Sequence, residues 1–310
     1  MQAIETNNYV PCSLCGSTEH RFLFYGKDRL HGVKGTFSYV MCTGCGLVYM
    51  NPQISSKDLM KYYPKDYGPH QSKSPKIEYN EKLTKPNIRK DSTLDFIYRK
   101  LNRQSVLLDV GCGNGKFLYE IQSLIGCSVY GIDISEDAVL MAKNNYNLDI
   151  FRGTITEAPF QNGYFDVITA WSYLEHVNNP WEVLTRVYDL LGPNKDFVMS
   201  CPNFDSFNAK LFKDKWYHLD CPRHLYLYTP KTISNFLKKT GFVIMEIAYE
   251  KSSKGLLGSL QYYFYGNNFN LKHRNKIRRS SVVKALVSPL TRMTYLVKKS
   301  DTMIVYAKKR

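Results

Sequence analysis

No stretch of the 310-residue chain reaches the roughly 18 unbroken apolar residues that a membrane-crossing helix needs, so no span is expected. The segment Met1 to Val10 lacks the basic-then-apolar pattern of an export signal, and the expected location is the cytoplasm. Internal repeats are missing, and low complexity is confined to Tyr67–Lys76. Acidic residues are nearly missing from the last sixty positions: Lys251 to Arg310 holds 14 Lys or Arg against Asp301 alone. That segment therefore carries +13 of the formal +15, and the rest of the chain is close to neutral. Such an imbalance points to an anionic partner, whether a membrane surface, nucleic acid or a phosphorylated substrate; a solvated basic face is the plain alternative. What is present is globular: 44% hydrophobic and 14% aromatic residues, enough for one large domain and a small appendage.

Four of the eight cysteines form two pairs, Cys12-x-x-Cys15 and Cys42-x-x-Cys45, each followed by glycine, and the others are scattered. Two thiolates three residues apart can grip one metal from a tight turn, and two such knuckles complete a tetrahedral four-sulfur site. This predicts a zinc ribbon over residues 1–55, with Cys12, Cys15, Cys42 and Cys45 as ligands and no position open to water, hence a structural zinc. A redox dithiol or an iron site is the alternative. The runs Arg21–Tyr25 and Thr36–Met41 read as its strands.

Residues 56–91, with Pro64, Pro69, Pro75 and Pro86, read as a polar linker, followed by a helix over Ser92–Leu101. Beyond it, strand-like runs alternate with helical patterns. The strands are Val106–Val110, Val129–Ile132, Leu148–Phe151, Phe165–Ala170, Phe197–Ser200, Phe242–Ala248 and Thr302–Ala307. Helices fill Lys116–Leu124, Glu136–Asn145, Pro180–Leu191 and Pro230–Lys239, the last begun by Thr229–Pro230 and closed by Gly241. The expected fold is α/β: a Rossmann-like doubly wound seven-stranded sheet with an antiparallel last strand, over residues 92–310.

The most informative segment is Val106-Leu107-Leu108-Asp109-Val110-Gly111-Cys112-Gly113-Asn114-Gly115. A buried strand enters a glycine-rich turn and then a helix, whose N-terminus favours an anionic group. Lys116 stands where a dinucleotide fingerprint would have its third glycine. Asp133, ending the next strand, can accept hydrogen bonds from both hydroxyls of a ribose. Cys112 has no base beside it and reads as a small filler.

Asp109 to Gly115 resembles the first motif of class I S-adenosylmethionine-dependent methyltransferases, and Asp133 resembles their ribose-binding acid. Gly153 to Phe160, Phe165-Asp166-Val167-Ile168 and Leu174-Glu175-His176-Val177 resemble the later strand motifs. The resemblance implies S-adenosylmethionine as cofactor, held by Asp109, Gly111, Gly113, Gly115, Asp133, Ile134, Thr154 and Ile155. Cys201-Pro202-Asn203 and the segment Trp216 to Leu225 resemble a bacterial subfamily common among polysaccharide and secondary-metabolite methyltransferases. The implied function is methylation of a sugar hydroxyl or carbon, on a nucleotide sugar or lipid-linked glycan. Methylation of another small molecule, such as a quinone or polyketide, is the alternative. An RNA methyltransferase using the ribbon and basic tail ranks behind both, so nucleic acid is the weaker partner.

Three histidines are candidate catalytic groups. His176 leaves the fourth strand, near the expected methyl position, and is the first choice of general base. His218 and His224 lie in residues 202–229, read as a substrate cap, where His224 and Arg223 could equally clamp the cap to the sheet. If His176 takes the proton, activity is expected to rise through an ordinary histidine pKa of about 6.5. In the basic insertion 251–300, Val282, Val283, Leu286, Leu290, Met293 and Val297 recur at helical spacing beside Lys284, Arg292, Lys298 and Lys299. Covering the core is one reading of this stripe; peripheral contact with the inner membrane face is the other, in a helix that Pro289 should kink.

Overall fold

The computed structural model describes residues 8–63, 92–266 and 276–310. Most of the proline-rich linker, residues 64–91, therefore lies outside the described residues, as does part of the basic insertion.

The N-terminal module begins with β1 (His20–Gly26), β2 (Phe37–Cys42) and β3 (Val48–Met50), an antiparallel meander with His20 opposite Cys42 and Val40 opposite Tyr49. A short helix, α1 (Ser56–Leu59), follows, capped by the Ser55 hydroxyl accepting from the Asp58 N–H. Ser56–Tyr63 are thus ordered structure packed on the protein, where the sequence had suggested free connector.

The larger layer runs α2 (Ser92–Lys100), β4 (Val106–Val110), α3 (Lys116–Ile125), β5 (Ser128–Asp133), α4 (Glu136–Tyr146), β6 (Phe151–Arg152), β7 (Phe165–Trp171), α5 (Pro180–Leu190) and β8 (Leu191–Pro202). It continues through α6 (Phe207–Phe212), β9 (Tyr226–Leu227), α7 (Pro230–Thr240), β10 (Phe242–Tyr249), α8 (Lys254–Tyr265), α9 (Lys276–Arg279), α10 (Ser281–Leu296) and β11 (Thr302–Lys309). Seven strands form one sheet in the order β10-β11-β8-β7-β4-β5-β6, with β11 antiparallel to both neighbours and β4 to β8 parallel. This is the expected α/β sheet with its reversed last strand.

Period-two alternation explains the two covered faces. Leu107, Val167, Val198 and Tyr306 pack with Ile97 of α2 and Leu118 and Ile121 of α3. Their strand neighbours Leu108, Ile168, Met199 and Val305 pack with Leu184 and Val187 of α5 and Ile233 and Phe236 of α7. Helix ends follow local chemistry: Thr229 and Thr232 form a reciprocal capping box at α7, and Gly241 closes it with φ +105°. The third strand is shorter than expected. Asn147 ends α4 in the left-handed region and the Leu148 N–H turns back to the Ala142 carbonyl, so Leu148 and Ile150 enter the core before the chain reaches β6.

The two layers are welded. Strand β9, from the cap, is the fourth strand of the N-terminal sheet, pairing Leu227 with Val48 and Tyr226 with Tyr49. The side chain of Arg223 is fully buried and donates to Asp28 of the module at 2.9 Å, to Asp220 of the cap at 2.7 Å and to the Tyr62 carbonyl at 2.8 Å. The Tyr39 hydroxyl donates to the His224 carbonyl at 2.8 Å, and the Trp181 indole donates to the Ser13 carbonyl. Of the two roles open to Arg223, clamping is the one its contacts serve, and the clamp joins the cap to the N-terminal module.

Removing the guanidinium leaves two carboxylates without their cation, one wholly buried and one nearly so. Arg223→Ala is expected to lower unfolding free energy by about 3–5 kcal/mol in urea titrations. Against the burial that would raise it, Arg223 holds Asp220 well below the usual carboxylate range. The unfolded chain therefore binds a proton there that the folded chain refuses, so the wild type should lose stability as pH falls below about 4. An Arg223→Ala protein that unfolds at the wild-type urea midpoint would contradict this.

Candidate functional site

Strands β4, β5, β7 and β8 all end at one edge of the sheet, and there the molecule opens a cavity of about 1880 Å³. That exceeds the roughly 300–1,000 Å³ of a single small-molecule site and leaves room for two ligands side by side.

One end is built by the glycine loop. Gly111, Gly113 and Gly115 all have positive φ, and a Cβ on Gly111 would lie 2.5 Å from the Tyr173 ring. Side chains are thus excluded where the backbone meets the cavity. Asp133 ties this loop to the next strand: its carboxylate accepts from the Gly113 N–H at 2.8 Å and the Ser135 N–H at 2.9 Å. Ile134 is exposed beside it, and Thr154 and Ile155 form the adjoining wall. The Thr154 hydroxyl and N–H both donate to Glu157 at 2.8 Å, a positioning carboxylate that sequence reading missed.

Two residues expected to touch the cofactor stand behind the loop. Asp109 is buried and accepts from the Thr169 hydroxyl at 2.7 Å; burial raises its pKa to about 8. Gly115 starts α3, and a Cβ there would meet Ala142 and Leu148, so its role is close packing of α3 against α4. Neither borders the cavity. Cys112 fills space, packed against Gly131.

At the other end the three histidines come together. The rings of His176 and His224 meet edge to face with centroids 4.6 Å apart, and His224 Nδ1 lies 2.9 Å from the His218 carbonyl. All three line the cavity. His176 Nδ1 lies 3.1 Å from the Arg223 carbonyl and 2.9 Å from the Tyr63 hydroxyl. A carbonyl can only accept, so Nδ1 carries the proton and Nε2 is left as the basic nitrogen. Burial, with the neighbouring His224 second, pushes His176 well below its ordinary value, and burial takes His224 to about 4. Both imidazoles are therefore neutral at physiological pH. Desolvation moves the histidine titration below the value of about 6.5 that the sequence alone suggests.

Glu175 lies fully buried beneath them, with no hydrogen bond to either carboxylate oxygen among the described residues; burial raises it to about 8. Its oxygen and one nitrogen each of His176 and His224 lie within 4.8 Å of one another. The N-terminal module contributes Leu30, His31, Leu59, Met60 and Tyr63 to the wall, which also includes Phe117, Trp171 and Tyr173. Sequence reading missed these because the module looked separate; β9 pairing with β3 is what carries it to the cavity.

The four paired cysteines converge as expected. Cys12 and Cys45 sulfurs lie 3.4 Å apart, as do those of Cys15 and Cys42, and all four fall within 4.8 Å. A tetrahedron with metal–sulfur bonds of about 2.3 Å has edges of about 3.8 Å, so one ion fits with small adjustments. Gly16 and Gly46 close the knuckles with φ +76° and +80°, their N–H groups donating to the Cys12 and Cys42 carbonyls.

Comparison with known proteins agrees with this architecture. The mitochondrial ubiquinone biosynthesis O-methyltransferase of Schizosaccharomyces pombe is 32% identical over 126 residues, covering 37% of this chain and 46% of that protein. The demethylmenaquinone methyltransferase of Lactococcus lactis subsp. lactis is 26% identical over 180 residues, covering 49% and 71%. The chain thus spans about half the length of the ubiquinone-pathway relatives it matches. A protein from Galdieria sulphuraria assigned as a sarcosine dimethylglycine methyltransferase shares the fold, with a TM-score of 0.53 and 14% identity over 72% of this chain and 85% of that one. A family model described as a methyltransferase domain matches residues 79–247, more than half of the sequence, and the chain belongs to that methyltransferase family.

Proposed function

We propose that this protein transfers the methyl group of S-adenosylmethionine to a hydroxyl of a small acceptor with an apolar, flat body, of the quinol class. The observation that carries the proposal is the single cavity joining the glycine loop and Asp133 to neutral His176 and an aromatic wall. Asp133 keeps lone pairs free for ribose hydroxyls, and Ile134 offers an apolar surface for a purine. The sugar acceptor implied by the sequence resemblance finds no support among the relatives, whose names concern ubiquinone and demethylmenaquinone methylation. Rings such as Tyr63, Trp171 and Tyr173 suit a flat acceptor.

Transfer needs the acceptor oxygen in line with the sulfonium methyl, and most of the acceleration would come from that placement. His176 Nε2 would accept the hydroxyl proton as the new O–C bond forms, while the Arg223 carbonyl and Tyr63 hold the ring. We also propose one zinc ion in the four-cysteine cluster, where it would fix the knuckles that hold β2 and β3, and through β9 the cap.

Four outcomes test these assignments. Asp133→Ala should weaken S-adenosylhomocysteine binding by about tenfold to over a hundredfold in calorimetry, the loss of 1.5–3 kcal/mol of hydrogen bonding; unchanged affinity refutes the ribose assignment. The rate of methyl transfer should show no histidine limb between about pH 5.5 and 7.5, because His176 is already neutral there. His176→Ala should lower kcat by about 10²–10⁴-fold with cofactor affinity nearly unchanged; a variant close to wild type would clear His176 of proton transfer. Elemental analysis should find one zinc per chain, lost in the double variant Cys12→Ser/Cys45→Ser, and metal-free wild type would overturn the zinc.

A further inference from the structure

Helix α10 has two apolar faces, and the protein uses only one. Val287 and Leu290 pack against the core and Thr294 is buried. The second stripe points away from the core: Val282 is 65% exposed, Leu286 75%, Met293 49%, Leu296 67% and Val297 57%. Their spacing places all five within about a third of the helix circumference at 3.6 residues per turn, with exposed Pro289 among them. Of the residues expected in this stripe, Leu290 packs against the core, whereas Val282, Leu286, Met293 and Val297 are exposed.

Exposed basic side chains lie at both ends of the helix and along it, Arg292 beside the stripe and Lys284 on the far side. Arg279 precedes the helix, Lys284 and Arg292 lie on it, and Lys298 follows it; none makes an ion pair with a described residue. The neighbouring α8, which packs against α10, adds exposed Tyr263 and Phe264. We propose that α10 is a membrane-docking helix that lies in the surface of an anionic lipid bilayer. This inference is independent of the acceptor's identity.

Three features select that occupant. The stripe is apolar with basic flanks, which is the pattern of an in-plane interfacial helix; phosphate recognition by charge alone would leave Leu286 and Leu296 without a purpose. A 16-residue helix is about 24 Å long, short of the roughly 30 Å hydrocarbon core, so it lies on the bilayer and does not cross it. No described helix is long and apolar enough to cross a membrane. Pairing with a second copy through this face would bring together two segments of +13 each. Lys251, Lys254, Arg278 and Tyr295 line the cavity, so this basic segment also forms part of its wall.

Vesicle flotation tests the proposal. The full chain should float with phosphatidylcholine vesicles that contain phosphatidylglycerol and stay behind with phosphatidylcholine alone, and added salt should weaken the binding. Leu286→Asp/Leu296→Asp should lower the partition coefficient about tenfold or more, with thermal melting and S-adenosylhomocysteine binding unchanged, since both positions are exposed. Arg279→Glu/Arg292→Glu should abolish the preference for phosphatidylglycerol. Wild type that ignores anionic vesicles, or a double-leucine variant that floats like wild type, overturns the proposal. So does a lipid-free dimer lost in that variant, which would assign the face to a second copy. Tighter retention of single-stranded RNA than of vesicles, unaffected by the leucine changes, would assign it to nucleic acid.

Discussion

The buried guanidinium of Arg223 is the constraint on which the functional half of the molecule depends. A lone cation in that position would be costly, and only the convergence of Asp28 and Asp220 makes it tolerable. Those two carboxylates come from parts of the chain almost two hundred residues apart. Their meeting fixes the N-terminal module against the cap, sets β9 beside β3, and places the Arg223 carbonyl on His176. The Arg223 carbonyl meets the His176 ring, and its guanidinium donates to the Tyr62 carbonyl, next to Tyr63. A cysteine-rich appendage has become one wall of the cavity by this route.

Much of the sheet was legible because its signals are local. Val106–Val110, the glycine turn and the acid ending β5 announce themselves by composition and spacing, and α7 by Thr229, Pro230 and Gly241. The four cysteines were equally plain. What sequence could not convey was depth. Asp109 and Gly115 sit in the same motif as Gly111 and Gly113, yet one supports the loop through Thr169 and the other makes room for Ala142. Only a three-dimensional accounting of which atoms meet the cavity separates them. Glu157 and Tyr63 escaped for a related reason, since each acts through a partner that spacing alone did not identify.

Burial also altered the chemistry expected of the histidines. In sequence, His176 is a group that titrates near neutrality. In the fold it is crowded by His224 and the protein interior, and its neutral form persists through the physiological range. Its Nδ1 meets the Arg223 carbonyl and the Tyr63 hydroxyl, which hold the ring in place. If this group takes a proton, its contribution would rest chiefly on placing the acceptor oxygen in a cavity that the module and the sheet edge both line. Burial also raises two carboxyls behind the cavity wall, Asp109 and Glu175, each to about 8.

The central claim is methyl transfer to a hydroxyl of a small apolar acceptor. Its most direct test is mass spectrometry after incubation with S-adenosylmethionine carrying a deuterated methyl group. The acceptor panel would set catechols and demethylated quinols beside nucleotide sugars and single-stranded RNA. The account predicts label on a quinol or catechol oxygen, dependent on His176, and none on the sugars or RNA. Label confined to a nucleotide sugar or to RNA would contradict it.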